Sequence, residues 1–364
     1  LTTINHYQNT WYKNQIRFRN RNKLWFNNDY NFKKMPLIVN EWKYDERIWS
    51  TASMLDDSKI IFGCWDQRVH CLNIKSGEEE WSFKTNGPIY SSPVVLENGD
   101  FVIGSDEGVL WKITCSGELL WKIEGNGSFH GTPLIDENNK IVYAGCYDHH
   151  MYAIDLEYGS IIWKQIFNPH ILEDIYSSPA LTPQENIVFG TGHEVICLNK
   201  FGDKIWDFKT FGNVDSTAAI DYELNIGMLG SEDGFIYGFD VISGEVLWKV
   251  RTGDVVVSSA AISYYHQACI GSNDKKLYCV NLGTGDLIWT KDIGNKSLYT
   301  SFTTLPNGDY LVVVGGKLIC IDYLDGSIVW EVDFPQGVHS PPLITPNGKI
   351  VVGSHFGSLY LLSW

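Results

Sequence analysis

Apolar residues in this chain come in short runs of about four to seven, each closed by a turn that carries glycine. Inside the runs the side chains alternate. In KLYCVN, Leu277, Cys279 and Asn281 fall on one side and Tyr278 and Val280 on the other, the period of a β-strand. No run approaches the roughly 18 consecutive apolar residues that a membrane-spanning helix requires. The stretch from Tyr90 to Glu124 shows the grammar: YSSPVV, DFVIGS, VLWKIT and ELLWKIE read as four strands, the second following a turn at Asn98-Gly99. The pattern predicts an all-β chain assembled from four-stranded units.

The unit recurs. Gly77 and Trp81, Gly117 and Trp121, Gly159 and Trp163, Gly202 and Trp206, Gly244 and Trp248, Gly285 and Trp289, and Gly326 and Trp330 are each four apart, and successive tryptophans are 40 to 43 residues apart. That period is the one expected of propeller blades. Asp155, Asp240 and Asp322, or Asn73 and Asn281, stand four residues before the turn glycine. Their short side chains can bond the turn backbone while glycine supplies positive φ. A lone four-stranded sheet covers neither of its faces, so the blades must stack, and the tryptophans are expected to fill the seams.

The motif SSP…GS.DG.LY.ID..TG…W resembles the quinoprotein-type (PQQ-like) propeller repeat with its tryptophan-docking motif, from about Trp49 to the C-terminus. The resemblance implies a ring of blades. First strands begin near Trp49, Tyr90, His130, Tyr176, Asp215, Val257, Tyr299 and His339, which predicts an eight-bladed propeller. The eighth copy ends at GSLYLLSW without a fourth strand. The segment KLWFNN (residues 23–28) reads as an outer strand without a blade, so its donation to the last blade is expected to close the ring. Residues 1–48 are thus expected to form an arm, closing strand and mouth-covering loop, and residues 49–364 the repeats.

Charge modifies this picture. The net charge of −15 disfavours a nucleic-acid partner, yet residues 1–34 carry +6 and the remainder −21. A basic arm beside an acidic body is expected to pack on it. The opening residues are polar and basic, unlike the apolar core of a signal peptide. Of the eight cysteines, Cys71, Cys197, Cys279 and Cys320 share one repeat position, as expected of small buried core residues. With no C-x-x-C pair, a structural zinc site is not expected. Unpaired thiols favour a reducing, cytoplasmic setting.

Candidate chemistry gathers where each first strand begins, because those connections face one mouth of the channel. Trp49, Tyr90, His130, Tyr176, Asp215, Tyr299 and His339 would make an aromatic rim with a few polar groups. From Trp to the first-strand serine is usually ten residues, but fourteen from Trp163 to Ser177 and twenty-five from Trp25 to Ser50. The longer excess, MPLIVNEWKYDER (residues 35–47), is expected to lie over the mouth with Trp42 near the occupant. CWDQR and CYDHH form a second cluster in the middle hairpins. His149 and His150, as neighbours on a strand, would point apart and cannot share an ion, so no metal is expected.

The enzymes of the quinoprotein family carry a vicinal cysteine pair and a calcium site. Neither has a counterpart here, and no cofactor is expected. Length and blade number also resemble the propeller lipoprotein of the bacterial outer-membrane assembly machine, whose lipidated N-terminal cysteine is unmatched, since the first cysteine is Cys64. The favoured reading is a scaffold that binds a small molecule, peptide or protein at the channel mouth. The alternative is a cofactor-independent lyase, cyclase or isomerase with His130, Asp215 and His339 as its catalytic groups.

Overall fold

The computed structural model describes residues 31–167, 174–263, 265–294 and 301–364. Among them the chain is all-β, with eight sheets of four antiparallel strands and no helix. Seven blades are consecutive. The first pairs Ser53–Met54, Lys59–Cys64, Arg68–Asn73 and Glu79–Lys84 in order, and the next six repeat this meander. The innermost strands are only two or three residues long, and those of most neighbouring blades adjoin around the channel.

The eighth blade is completed by the N-terminal part of the chain. Its outer strand is Leu37–Lys43, which runs antiparallel to Ser358–Ser363 with Trp42 opposite Leu359. Closure from the N-terminal side is as expected, but the strand differs. Residues 23–28 lie outside the described residues, and residues 37–43 occupy the place foreseen for them. Most of the segment expected to cover the mouth is therefore sheet.

The tryptophans explain the repeat. Trp81 donates to the carbonyl of Cys115, Trp121 to Leu156, Trp163 to Lys200, Trp206 to Val241, Trp248 to Leu282 and Trp289 to Tyr323, all between 2.9 and 3.2 Å and each in the following blade. Trp42 does the same to Gly77 at 3.0 Å. Trp330 donates to the carbonyl of Phe32, which replaces the missing turn of blade eight. Each indole except that of Trp330 lies over the next blade's turn glycine. A Cβ on Gly117 would come within 2.8 Å of the Trp81 ring, and the +87° φ there also favours glycine. Across the strand pair the indole faces a small residue: Cys71, Ala153, Cys197, Gly238, Cys279 or Cys320. In blade two that place belongs to Lys112, whose ammonium is satisfied by the Leu156 carbonyl at 2.9 Å.

All eight cysteines are unpaired and seven are buried. Cys115 departs from the expected burial, because it lies in an exposed turn. Lys33, from the basic arm, pairs with Asp309 at 3.1 Å and Asp322 at 2.6 Å on blade seven, in keeping with an arm packed on the acidic body.

Candidate functional site

Two hydroxyl belts hold the starts of most of the inner strands. Ser50, Ser177, Ser216, Ser258 and Ser340 each bond a second-strand glycine of their own blade, at Gly63, Gly190, Gly230, Gly271 and Gly353. The next position bonds between blades, as Thr51 N–H to Ser92 Oγ at 2.9 Å and Thr132 N–H to Ser178 Oγ at 2.9 Å. The second-strand glycine also lets the following blade approach. A Cβ on Gly145 would meet Ile175 at 2.5 Å. The residue just before the first serine is therefore held next to the start of the inner strand, and it is the position singled out in the sequence.

A second tier joins it. The residue two after the second-strand glycine is tied by its N–H to the connection before the rim: Trp65 to Arg47, Asp106 to Pro88 and Tyr147 to Ser128, each at 3.0 Å. His355 belongs to the same tier. Asp106 and His355 escaped the sequence reading, and Trp65 and Tyr147 entered it only as parts of the CWDQR and CYDHH hairpins, although their fixed distance from Gly63, Gly104, Gly145 and Gly353 is a usable signal.

Together the tiers form an aromatic arc. Trp49 contacts Trp65 at 4.7 Å, Tyr90 at 5.0 Å and His339 at 4.9 Å between ring centroids. Tyr90 stacks on His130 at 4.1 Å, and His130 contacts Tyr176 at 4.7 Å and Tyr147 at 5.6 Å. At one end the guanidinium of Arg47 lies over Trp65 at 4.6 Å, and Trp49 Nε1 donates to His355 Nδ1 at 3.1 Å. Along the rest of the arc the charge is negative. The Tyr147 phenol is held above its usual range by burial and then by neighbouring Tyr176, Asp106, Asp174 and Asp215. Burial, with Glu107 adding to it, pushes Asp106 up to about 6, and its Oδ1 is buried without a hydrogen-bond partner.

The expected site residues separate accordingly. Trp49, Tyr90, His130, Tyr176 and His339 meet in one arc, with Asp215 close enough to act on Tyr147 and Tyr176. Tyr299 lies outside the described residues, as do residues 168–173 of the shorter insertion. Trp42, expected beside the occupant, is in a blade seam on the outer strand, its indole donating to the Gly77 carbonyl. From residues 35–47 it is Arg47 that stacks on the arc. Nor is His130 poised to titrate near neutrality. Burial pushes it down to about 4, which makes it a poor proton acceptor at neutral pH. His339 is lowered too, by burial and then by His355 and Arg47. Of the two neighbouring histidines, His149 sits in the hairpin turn at φ 65° with Nδ1 3.9 Å from Asp174, while His150 Nδ1 contacts the Asp148 carbonyl at 2.8 Å.

This fold and its Gly-to-Trp repeat define an eight-bladed propeller of the PQQ-like class. A family profile described as outer membrane protein assembly factor BamB matches residues 65–207, 159–303 and 273–360, and the chain belongs to that family. No curated protein matches it by sequence. Among solved structures, BamB from Moraxella catarrhalis superposes with a TM-score of 0.76 at 16% identity, covering 91% of this chain and 100% of that one. A europium-containing methanol dehydrogenase gives 0.77 at 10% identity over 90% and 93% of the two chains. The designed protein Ika8 gives 0.73 at 15% identity over 88% and 98%. Likeness at these identities concerns the fold.

Proposed function

We propose that this protein is a binding propeller that holds an extended segment of a partner protein across the aromatic arc, with a basic side chain of that segment beside Asp106. One observation carries the reading: an unbroken run of ring contacts from Trp49 to Tyr176 passes a buried carboxylate, Asp106, beside Tyr90 and Tyr147, with one oxygen that has no hydrogen-bond partner. Rings supply apolar area at low entropic cost, and their faces attract a lysine or arginine. A carboxylate with one unbonded oxygen gains most from a cation that donates to it. The family's description as an assembly factor for outer membrane proteins supports a polypeptide partner.

A displayed peptide library tests the reading. Peptides selected on the intact protein should be enriched in Lys or Arg. Their affinity should fall at least tenfold, about 1.4 kcal/mol, on Trp49→Ala, Tyr90→Ala and Asp106→Asn, with melting temperatures that show each variant folded. Peptides that bind all three variants as well as the parent would move the site away from this mouth.

A further inference from the structure

Blade one contains a group that its sister blades lack. Cys64 ends the second strand, Asp66 lies in the hairpin turn and His70 is on the third strand. One ligating atom from each lies within 4.8 Å of the other two. His70 Nε2 is 2.8 Å from Asp66 Oδ2, and its Nδ1 is 2.8 Å from Glu79 Oε2 on the fourth strand. Cys64 is fully buried, and the His70 side chain is only 5% exposed. Asp66 and Glu79, at 15% and 40%, leave a way in from solvent.

The repeat provides an internal control. At the place of His70, blades three, five and six have Tyr152, Tyr237 and Tyr278, each donating its hydroxyl to the turn aspartate, Asp148, Asp233 or Asp274. At the place of Cys64, blades five and six have Ser231 and Ser272, and blade three has Cys146. Three sister blades therefore satisfy their turn carboxylate with a phenol. Only in blade one do these three repeat positions hold a thiol, a carboxylate and an imidazole, and among the described residues no other cluster of three such groups is this close.

Histidine in place of tyrosine puts both ring nitrogens against carboxylate oxygens, Nδ1 on Glu79 and Nε2 on Asp66. With Nδ1–H donating to Glu79, Nε2 offers its lone pair to a cation held jointly with Asp66. Histidine held from behind by a carboxylate is the usual second shell of a zinc ligand. A thiolate and a carboxylate supply two negative charges to match a divalent ion.

We propose that Cys64, Asp66 and His70 form a zinc-class divalent metal site, with Glu79 orienting His70 and the fourth position open. Nitrogen and oxygen ligands at ~2.0–2.2 Å in tetrahedral geometry are roughly 3.3 Å apart. Asp66 must then withdraw about half an ångström from His70, a small rotation of a side chain in a turn. Trp65 stands between two of the ligands, so the ion would also stiffen the hairpin that carries this part of the aromatic arc.

Cobalt(II) provides the test, because a thiolate ligand gives it a charge-transfer band in the near ultraviolet. Metal-stripped protein should bind one equivalent of Co²⁺ with that band, Zn²⁺ should displace it, and either ion should raise the melting temperature. Cys64→Ser and His70→Tyr restore side chains that sister blades already use, so both variants should fold. Cys64→Ser should remove the band, and His70→Tyr should weaken binding at least tenfold. An absence of stoichiometric binding in the parent, or a band and affinity unchanged in both variants, would overturn the assignment.

Discussion

Two residues of the arc pull stability in opposite directions with pH. Asp106, raised to about 6, binds its proton more tightly folded than unfolded, where a carboxyl titrates near ~3.9. Its burial costs nothing below that unfolded value and its full amount above pH 6 or so. Asp106→Asn should therefore raise the melting temperature at pH 7.5, by roughly 1–2 °C for a chain of this size, and have no effect at pH 4. His130, lowered to about 4, resists a proton that the unfolded chain accepts near ~6.5. Stability should fall as pH drops from about 6.5 toward 4, and His130→Phe should flatten that limb. Melting curves for the parent and both variants between pH 4 and 8 check both signs. A carboxylate that destabilises the free protein and improves binding is a familiar compromise at functional sites. Thiols give a simpler expectation. Native protein should offer one accessible cysteine, Cys115, to a thiol reagent, and denatured protein eight.

At the scale of the strand, the decisive element is Leu37–Lys43. It covers the edge of Ser358–Ser363 and places Trp42 in the eighth seam. Trp42→Ala should cost on the order of 3 kcal/mol, as loss of a packed tryptophan does, and read out as a lower midpoint in urea. Removing residues 1–43 should expose a sheet edge and produce aggregation, which light scattering would detect. A truncated chain that stays monomeric with the parent's midpoint would show that the ring needs no such strand. Residues 23–28 look like the better candidate because KLWFNN has the tryptophan and its aliphatic neighbour. Spacing decides for VNEWK: Trp42 lies eight residues before Ser50, near the usual ten, and Trp25 lies twenty-five before it.

For the whole molecule, the ring was legible because a tryptophan in a seam demands a glycine at a constant distance, and only a repeating neighbour can supply it. The first tier of the arc was legible for a related reason, since Tyr90 or Tyr176 stands directly before a serine that recurs. What could not be read were effects that arise between blades. The depressed basicity of His130 comes from Tyr90 on one side and Tyr176 on the other, residues 46 positions or fewer away but in different sheets. The grouping of Cys64 with His70 is likewise hidden, because the same two places hold a serine and a tyrosine in blades five and six and a cysteine and a tyrosine in blade three.

Phe32 and Trp364 touch edge to face at 4.9 Å, and Trp364 donates to the Lys34 carbonyl at 2.6 Å. The first described residues and the last are thus partners, which has a consequence during synthesis. Leu37, Ile38 and Val39 leave the ribosome more than 300 residues before the strand that pairs with them. At translation rates of about 5–20 residues per second, that is roughly a quarter of a minute to a minute. Throughout that interval an apolar strand is unpaired while seven blades form in front of it. Whatever holds nascent chains out of aggregation has to attend to this end first, and to release it last.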